Sequence, residues 1–256
     1  MVTDLSRAFV SYDSWLYLAW QDIRIKYRRS RIGPLWITAS MAIFCGTLGV
    51  IYSQLFKTDI TEYLPFLSVG FVLWAFVSGM LNEFPDIFVQ AAPYITSFQS
   101  NPLVILLRAT TRHLIVLCHN ALIIVWIYGY FGVNPGLNGL MAIPAVILVT
   151  ANLLAIGVCL AMLGARFRDI APITQNLVQV VFFVTPLTWM PKLLPANSWV
   201  VVFNPFAHYI SIMREPLLGH PTELRSWLIT LVTLVFFGLI STLLYNKRAH
   251  RIPFWV

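Results

Sequence analysis

Two rows of aromatic and neutral hydrogen-bonding side chains stand out inside the apolar parts of this sequence. Trp36, Ser40, Phe44 and Thr47 recur at i, i+3 and i+4 spacing, so a helix brings them near one face. Gln175, Gln179 and Phe183 repeat the pattern farther along, with Asn176 and Phe182 beside them. That mixture suits a carbohydrate, because rings stack on the CH faces of a sugar while amides and hydroxyls meet its hydroxyl groups. The same side chains also join neighbouring helices in a membrane, where Ser, Thr, Asn and Gln bond across interfaces. Taken alone, the residues favour that packing role. Trp36, Tyr63 and Trp189 likewise suit the aromatic belt at a membrane surface.

Other chemistry is missing. There is no GxxxxGK phosphate loop followed by Ser or Thr, no HExxH and no GxSxG. His113, His119, His208, His220 and His250 show no close metal-ligand spacing, so neither a metal site nor a catalytic residue is assigned. Cys45, Cys118 and Cys159 lie in apolar runs without a CxxC, which reads as small buried hydrophobes. No Asp, Glu, Lys or Arg stands inside a long apolar run, and His119 alone among the histidines does. Ion-driven transporters carry such groups for their driving ion. If the protein moves something, the energy is expected from a partner. A membrane enzyme would need clustered carboxylates or histidines near a surface, and none is seen.

The elements that must carry the two rows follow from composition. Apolar residues make up 59% of the chain and charged residues 11%, against about 45–50% and about 25% in a typical soluble domain. Six apolar runs approach the ~20 residues that a helix needs to cross ~30 Å of hydrocarbon. They cover residues 34–56, 63–81, 114–131, 140–163, 173–190 and 227–245. The chain is therefore expected to be an all-α integral membrane protein with six transmembrane helices over 34–256. A cytoplasmic N-terminal region, 1–33, precedes them. Within it, residues 11–31 read as an amphipathic interfacial helix, with Tyr12, Leu16, Ala19, Ile23 and Tyr27 along one side. The segment 82–113 is long and partly apolar, which points to structure rather than a plain linker. Short apolar stretches at 199–203 and 206–213 suggest re-entrant or interfacial helices before the last span. Asp169 is placed to cap the fifth helix, with Pro172 in its first turn.

The formal net charge is +7, but the basic residues flank apolar runs rather than forming a nucleic-acid face. With the N-terminus inside, 13 Lys and Arg fall on inside segments and 4 on outside segments. The positive-inside rule thus puts both termini in the cytoplasm. Basic flanks also attract anionic lipid headgroups. No secretory signal peptide is visible.

Three motifs in order carry a family resemblance. Lys26-Tyr27-Arg28-Arg29-Ser30-Arg31-Ile32-Gly33-Pro34-Leu35-Trp36 resembles the start of ABC-2 type permeases that export cell-surface polysaccharide. Arg166-Phe167-Arg168-Asp169-Ile170 resembles that family's inside turn between its fourth and fifth helices. Asn204-Pro205, Arg214 and Leu218-Gly219 resemble its outside segment before the last helix. One departure is Asn101-Pro102-Leu103, where many relatives have Phe-Pro and a basic residue.

The resemblance implies a half-transporter in a bacterial cytoplasmic (inner) membrane. Two copies would form a homodimeric channel above two copies of a separate ATPase, which would bind ATP and Mg; this chain would hold no cofactor. Tyr94, Ile95, Phe98 and Gln99, with Arg166, Arg168 and Asp169, would meet the ATPase. Lys26, Arg28, Arg29 and Arg31 would sit at the membrane surface. Trp36, Ser40, Phe44, Thr47, Gln175, Gln179, Phe182 and Phe183 would line the path. The substrate would be a lipid-linked polysaccharide, with O antigen ahead of capsule or teichoic acid. A small drug or lipid is the alternative, and nucleic acid is not an expected partner.

Overall fold

Apolar stretches in lipid must satisfy every backbone N–H and C=O internally, so they become helices. The computed structural model describes residues 1–28, 30–33, 35–97, 101–191 and 199–256, and no strand occurs among them. Pro34, at the start of the first expected span, lies outside the described residues.

The N-terminal segment forms α1 (Val2–Val10) and α2 (Tyr12–Lys26). The helix expected over 11–31 is α2, which ends at Lys26, and a break at Ser11 sets it off from the additional helix α1. Side chains stabilise the break, because the Ser11 hydroxyl and Trp15 Nε1 both donate to the Ala8 carbonyl, at 3.0 and 2.9 Å. Ala19 and Ile23 of α2 are buried, whereas Tyr12 and Leu16 of the same expected stripe stay exposed beside Tyr17 and Trp20. One side of α2 therefore grips the protein and the adjoining side is free for the headgroup layer.

Next come α3 (Leu35–Leu55) and α4 (Ile60–Glu83), joined at Asp59. The Asp59 carboxylate accepts from the Thr61 N–H and hydroxyl, both at 2.8 Å, which holds it below the usual carboxylate range. A 3-10 turn (Phe84–Asp86) leads to two short helices, α5 (Ile87–Gln90) and α6 (Ala92–Thr96). Helix α7 (Pro102–Phe131) starts at Pro102, well before the span expected at 114. It can do so because Arg108 and Arg112, which looked like loop charges, have carboxylate partners.

A second 3-10 turn precedes α8 (Ala142–Arg166). Helix α9 (Ile170–Val184) has 15 residues, ~22 Å, short of the ~30 Å core. The run expected to continue to 190 stops because Thr185, ahead of Pro186, is extended at φ −86 and ψ 135. Asp169 makes no side-chain cap, contrary to expectation. It already has helical φ −73 and ψ −14, whereas a capping side chain works from an extended backbone. Helices α10 (Trp199–Val202) and α11 (Pro205–Leu217) occupy the two short apolar stretches. Helix α12 (Leu224–Arg248) and a short α13 (Ile252–Trp255) complete the chain.

Five of these segments are long and apolar enough to cross a membrane, carried by α3, α4, α7, α8 and α12, and α9 is a shorter apolar sixth. Helix α4 is the hub, packed against α3, α7, α8, α9 and α11. At its foot, Gly157 and Gly164 of α8 lie against Phe84 and the Pro85 backbone, leaving no room for a Cβ. The Met1 ammonium donates to Asn246 Oδ1 at 2.5 Å and Asn101 Nδ2 to the Asp4 carbonyl at 2.8 Å. Both termini and the start of α7 therefore share one end of the molecule. Arg108, Arg112, Arg166 and Arg248 lie toward that same end, here termed the basic end.

Candidate functional site

Helix α4 brings the two aromatic rows together. Phe44 of α3 meets Phe71 of α4 edge to face at 5.0 Å between ring centroids. Phe71 in turn lies 5.8 Å from Phe182 of α9, and Trp74, one turn along α4, lies 6.0 Å from the same ring. Phe182 stands 5.2 Å from Phe183. Edge-to-face and tilted contacts at these separations are favourable. The result is a continuous run of rings, Phe44–Phe71–Phe182–Phe183, across three helices.

Members of the run differ in exposure. Phe71 and Trp74 are buried and Phe182 is half-buried, so Phe182 belongs to the packing more than to an open wall. Phe44 is 47% exposed and Phe183 67% exposed. Trp36, Ser40, Thr47, Gln175 and Gln179 are exposed on the same two helices. A long exposed face that mixes rings, hydroxyls and amides has weak, repeated contacts to give a sugar chain and no charge with which to trap it. Sequence reasoning missed Phe71 and Trp74. Their apolar run shows no helical stripe, because α4 is enclosed all round. His119, the one histidine inside an expected span, bonds through Nδ1 to the Ile115 carbonyl of its own helix at 2.8 Å. Its own carbonyl accepts from Thr38 of α3 at 2.9 Å, so it serves helix packing.

At the basic end, α2, α4 and α7 are joined by ions. Asp22 of α2 accepts from Arg108 at both oxygens, Nε at 2.9 Å and Nη2 at 2.5 Å, and from Arg112 Nη1 at 2.8 Å. Arg112 Nη2 reaches Glu83 of α4, whose other oxygen lies 2.8 Å from His113 Nε2. Arg108 also lies 6.0 Å from the ring of Tyr94 on α6. A cleft of about 220 Å3, lined by Leu18, Glu83, Tyr94, Arg108 and Arg112, opens beside the junction. The signal in the sequence was an arginine pair at i, i+4, which reads equally well as an orientation flank.

The residues expected to meet an ATPase are distributed unevenly. Tyr94 is half-exposed, but Ile95 is 3% exposed and turned into the core, where it anchors α6 instead of offering a contact. Phe98, Gln99 and Arg29 lie outside the described residues. Arg166, Arg168 and Asp169 are exposed at the α8–α9 turn, and Arg166 lies over Phe167 and Trp255 at 5.0 and 5.8 Å. Helix α13 also packs on α6, so the turn, α6 and α13 form one surface. Lys26, the last residue of α2, and Arg28 and Arg31 just after it are exposed.

The third motif has a structural explanation at the opposite end. Asn204 caps α11 by accepting from Phe206 N–H at 3.0 Å, and its Nδ2 donates to Thr185 Oγ1 at 3.0 Å. Arg214 is 1% exposed; it donates from Nη1 to the Pro186 carbonyl at 2.6 Å and lies 4.0 Å over Phe66. Tyr63 donates to the Thr188 carbonyl at 2.5 Å. These bonds satisfy carbonyls that the short α9 leaves outside a helix. Gly219, at φ +83, closes the turn after α11.

A model of the ABC-2 type transporter family matches residues 13–218, a stretch running from α2 to the end of α11. Two curated relatives from Klebsiella pneumoniae, each described as O-antigen export system permease protein RfbA, are 22% and 23% identical to this chain. Each match spans 244 residues, 94% of this chain and 93% of the relative.

Proposed function

The chain belongs to the ABC-2 type transporter family, and from that premise we propose that it is the channel-forming subunit of an ATP-driven exporter of lipid-linked polysaccharide. O antigen is the first choice of cargo, because the two relatives are described as O-antigen export permeases. The observation that carries the reading is the ring run from Phe44 to Phe183, flanked by exposed Ser40, Thr47, Gln175 and Gln179. A polymer needs many weak contacts, since conduction requires binding that is also easy to leave.

Two copies of the chain face each other across the path, and two copies of a separate ATPase sit beneath them. ATP and Mg belong to that partner; this chain has no phosphate loop of its own. The ATPase meets α6 and the Arg166–Asp169 turn, where exposed charge and the half-exposed Tyr94 stand at the basic end. That end faces the cytoplasm of a bacterial inner membrane, as the 13-to-4 charge asymmetry indicates.

The test is a strain lacking the gene. Expressing the chain with its neighbouring ATPase is expected to restore surface polysaccharide, and the purified complex to contain two copies of each. Export of a small drug or lipid with no effect on surface polysaccharide would replace the substrate assignment. A cysteine at His220 is expected to label from outside intact cells and one at His250 is not. The reverse pattern would overturn the topology and the ATPase-facing end together.

A further inference from the structure

The ionic junction has more connectivity than a brace between two helices needs. Asp22 and Glu83 each use both carboxylate oxygens, and among the described residues Arg112 alone touches both of them. Asp22 sits on α2, Glu83 on the hub helix α4, and Arg108, beside the α6 ring Tyr94, shares Asp22. Helix α4 then carries Phe71 and Trp74 into the ring run. Apolar side chains slide past one another with little directional resistance. Forked, charge-assisted hydrogen bonds hold both distance and angle. The side chains are 16–28% exposed, so water screens them only in part.

We propose that Arg112 is the positioning residue through which displacement of α2 and α6 reaches α4, so that the Asp22–Arg112–Glu83 bridge couples ATP hydrolysis to polymer movement. This rests on the docking of an ATPase at the basic end. The bridge transmits force; it does not touch the cargo or the nucleotide. Lysine at 112 keeps the charge but lacks the fork needed to hold two carboxylates at once.

The experiment uses the full complex of this chain with its ATPase, in membranes and purified. Complex yield, ATP hydrolysis and surface polysaccharide are measured for wild type, Arg112→Gln, Arg112→Lys and Glu83→Gln. Arg112→Gln is expected to assemble normally and hydrolyse ATP within twofold of wild type, while export falls tenfold or more. Glu83→Gln keeps the shape of the side chain and is expected to fall in the same direction, as is Arg112→Lys by a smaller factor. Export that stays proportional to hydrolysis in all variants would overturn the proposal. Loss of the complex with both Arg112→Gln and Glu83→Gln would also overturn it and leave the junction a structural brace. If the wild-type chain captures no ATPase, the docking reading itself fails. A coupled wild type with an equally coupled Arg112→Gln removes only this inference.

Discussion

Helices α3 and α4 are both apolar and both long enough to span, yet 83% of the most apolar stretch of α4 is buried and only 11% of that of α3. Their composition does not announce the difference. Helix α4 is wrapped by five other helices, so its Phe71 and Trp74 are core. Helix α3 packs on α4 and α7 and turns Trp36, Ser40, Phe44 and Thr47 outward. A ring on α4 should therefore act on the fold, and a ring on an open face should act on transport. The hub and the open faces can be told apart by where a small change is felt.

The hub is most sensitive where backbones meet. Gly164→Ala would place a Cβ against the buried Pro85 carbonyl, where backbone must shift. Little or no folded protein is expected on detergent extraction and size exclusion. Gly46 on α3 has nothing within 4 Å of a Cβ, so Gly46→Ala is expected to leave the amount unchanged. A fall with Gly46→Ala would mean that a second copy covers that face, which sharpens the comparison.

Ring removal separates the two regions next. Phe71→Ala truncates a buried aromatic, for which a loss of about 3–5 kcal/mol is usual. A lower thermal midpoint and reduced yield of the complex are expected. Phe183→Ala removes a ring that is 67% exposed. Normal amounts of complex are expected, with surface polysaccharide several-fold lower and unexported chains accumulating inside. Loss of the protein, or full export from a normal amount, would return Phe183 to the packing. The smallest effect is expected at the cap of α11. Asn204→Ala removes the bonds to Phe206 N–H and Thr185, and about 1 kcal/mol is typical of a lost cap. The thermal midpoint should fall slightly, with export unchanged.

The three motifs carried by the resemblance turned out to be of different kinds. Asn204, Arg214 and Gly219 do structural work on the segment after α9. Arg166, Arg168 and Asp169 remain exposed at a turn. Of the basic run before α3, the described Lys26, Arg28 and Arg31 are exposed. The ionic junction stayed hidden because its members are far apart in sequence. Asp22 read as one polar residue of an amphipathic helix, and Glu83 lay just past an apolar run.

By itself the sequence determined that the chain is helical and lives in a membrane, because its long apolar runs lack the alternation of barrel strands and helices are then what satisfies the backbone in lipid. It also determined which end is basic and which two helices carry rows of rings and amides, since these depend on spacing along one helix. Tertiary structure alone decided that α4 links those rows through Phe71, that Ile95 turns inward, and that α7 extends its charged first turns along α2. It also paired Arg112 with two carboxylates 61 residues apart in the chain, Asp22 and Glu83. Each of these depends on which neighbour a side chain meets. In a chain whose spanning helices are all alike in apolarity, pattern along one helix says little about the helix beside it.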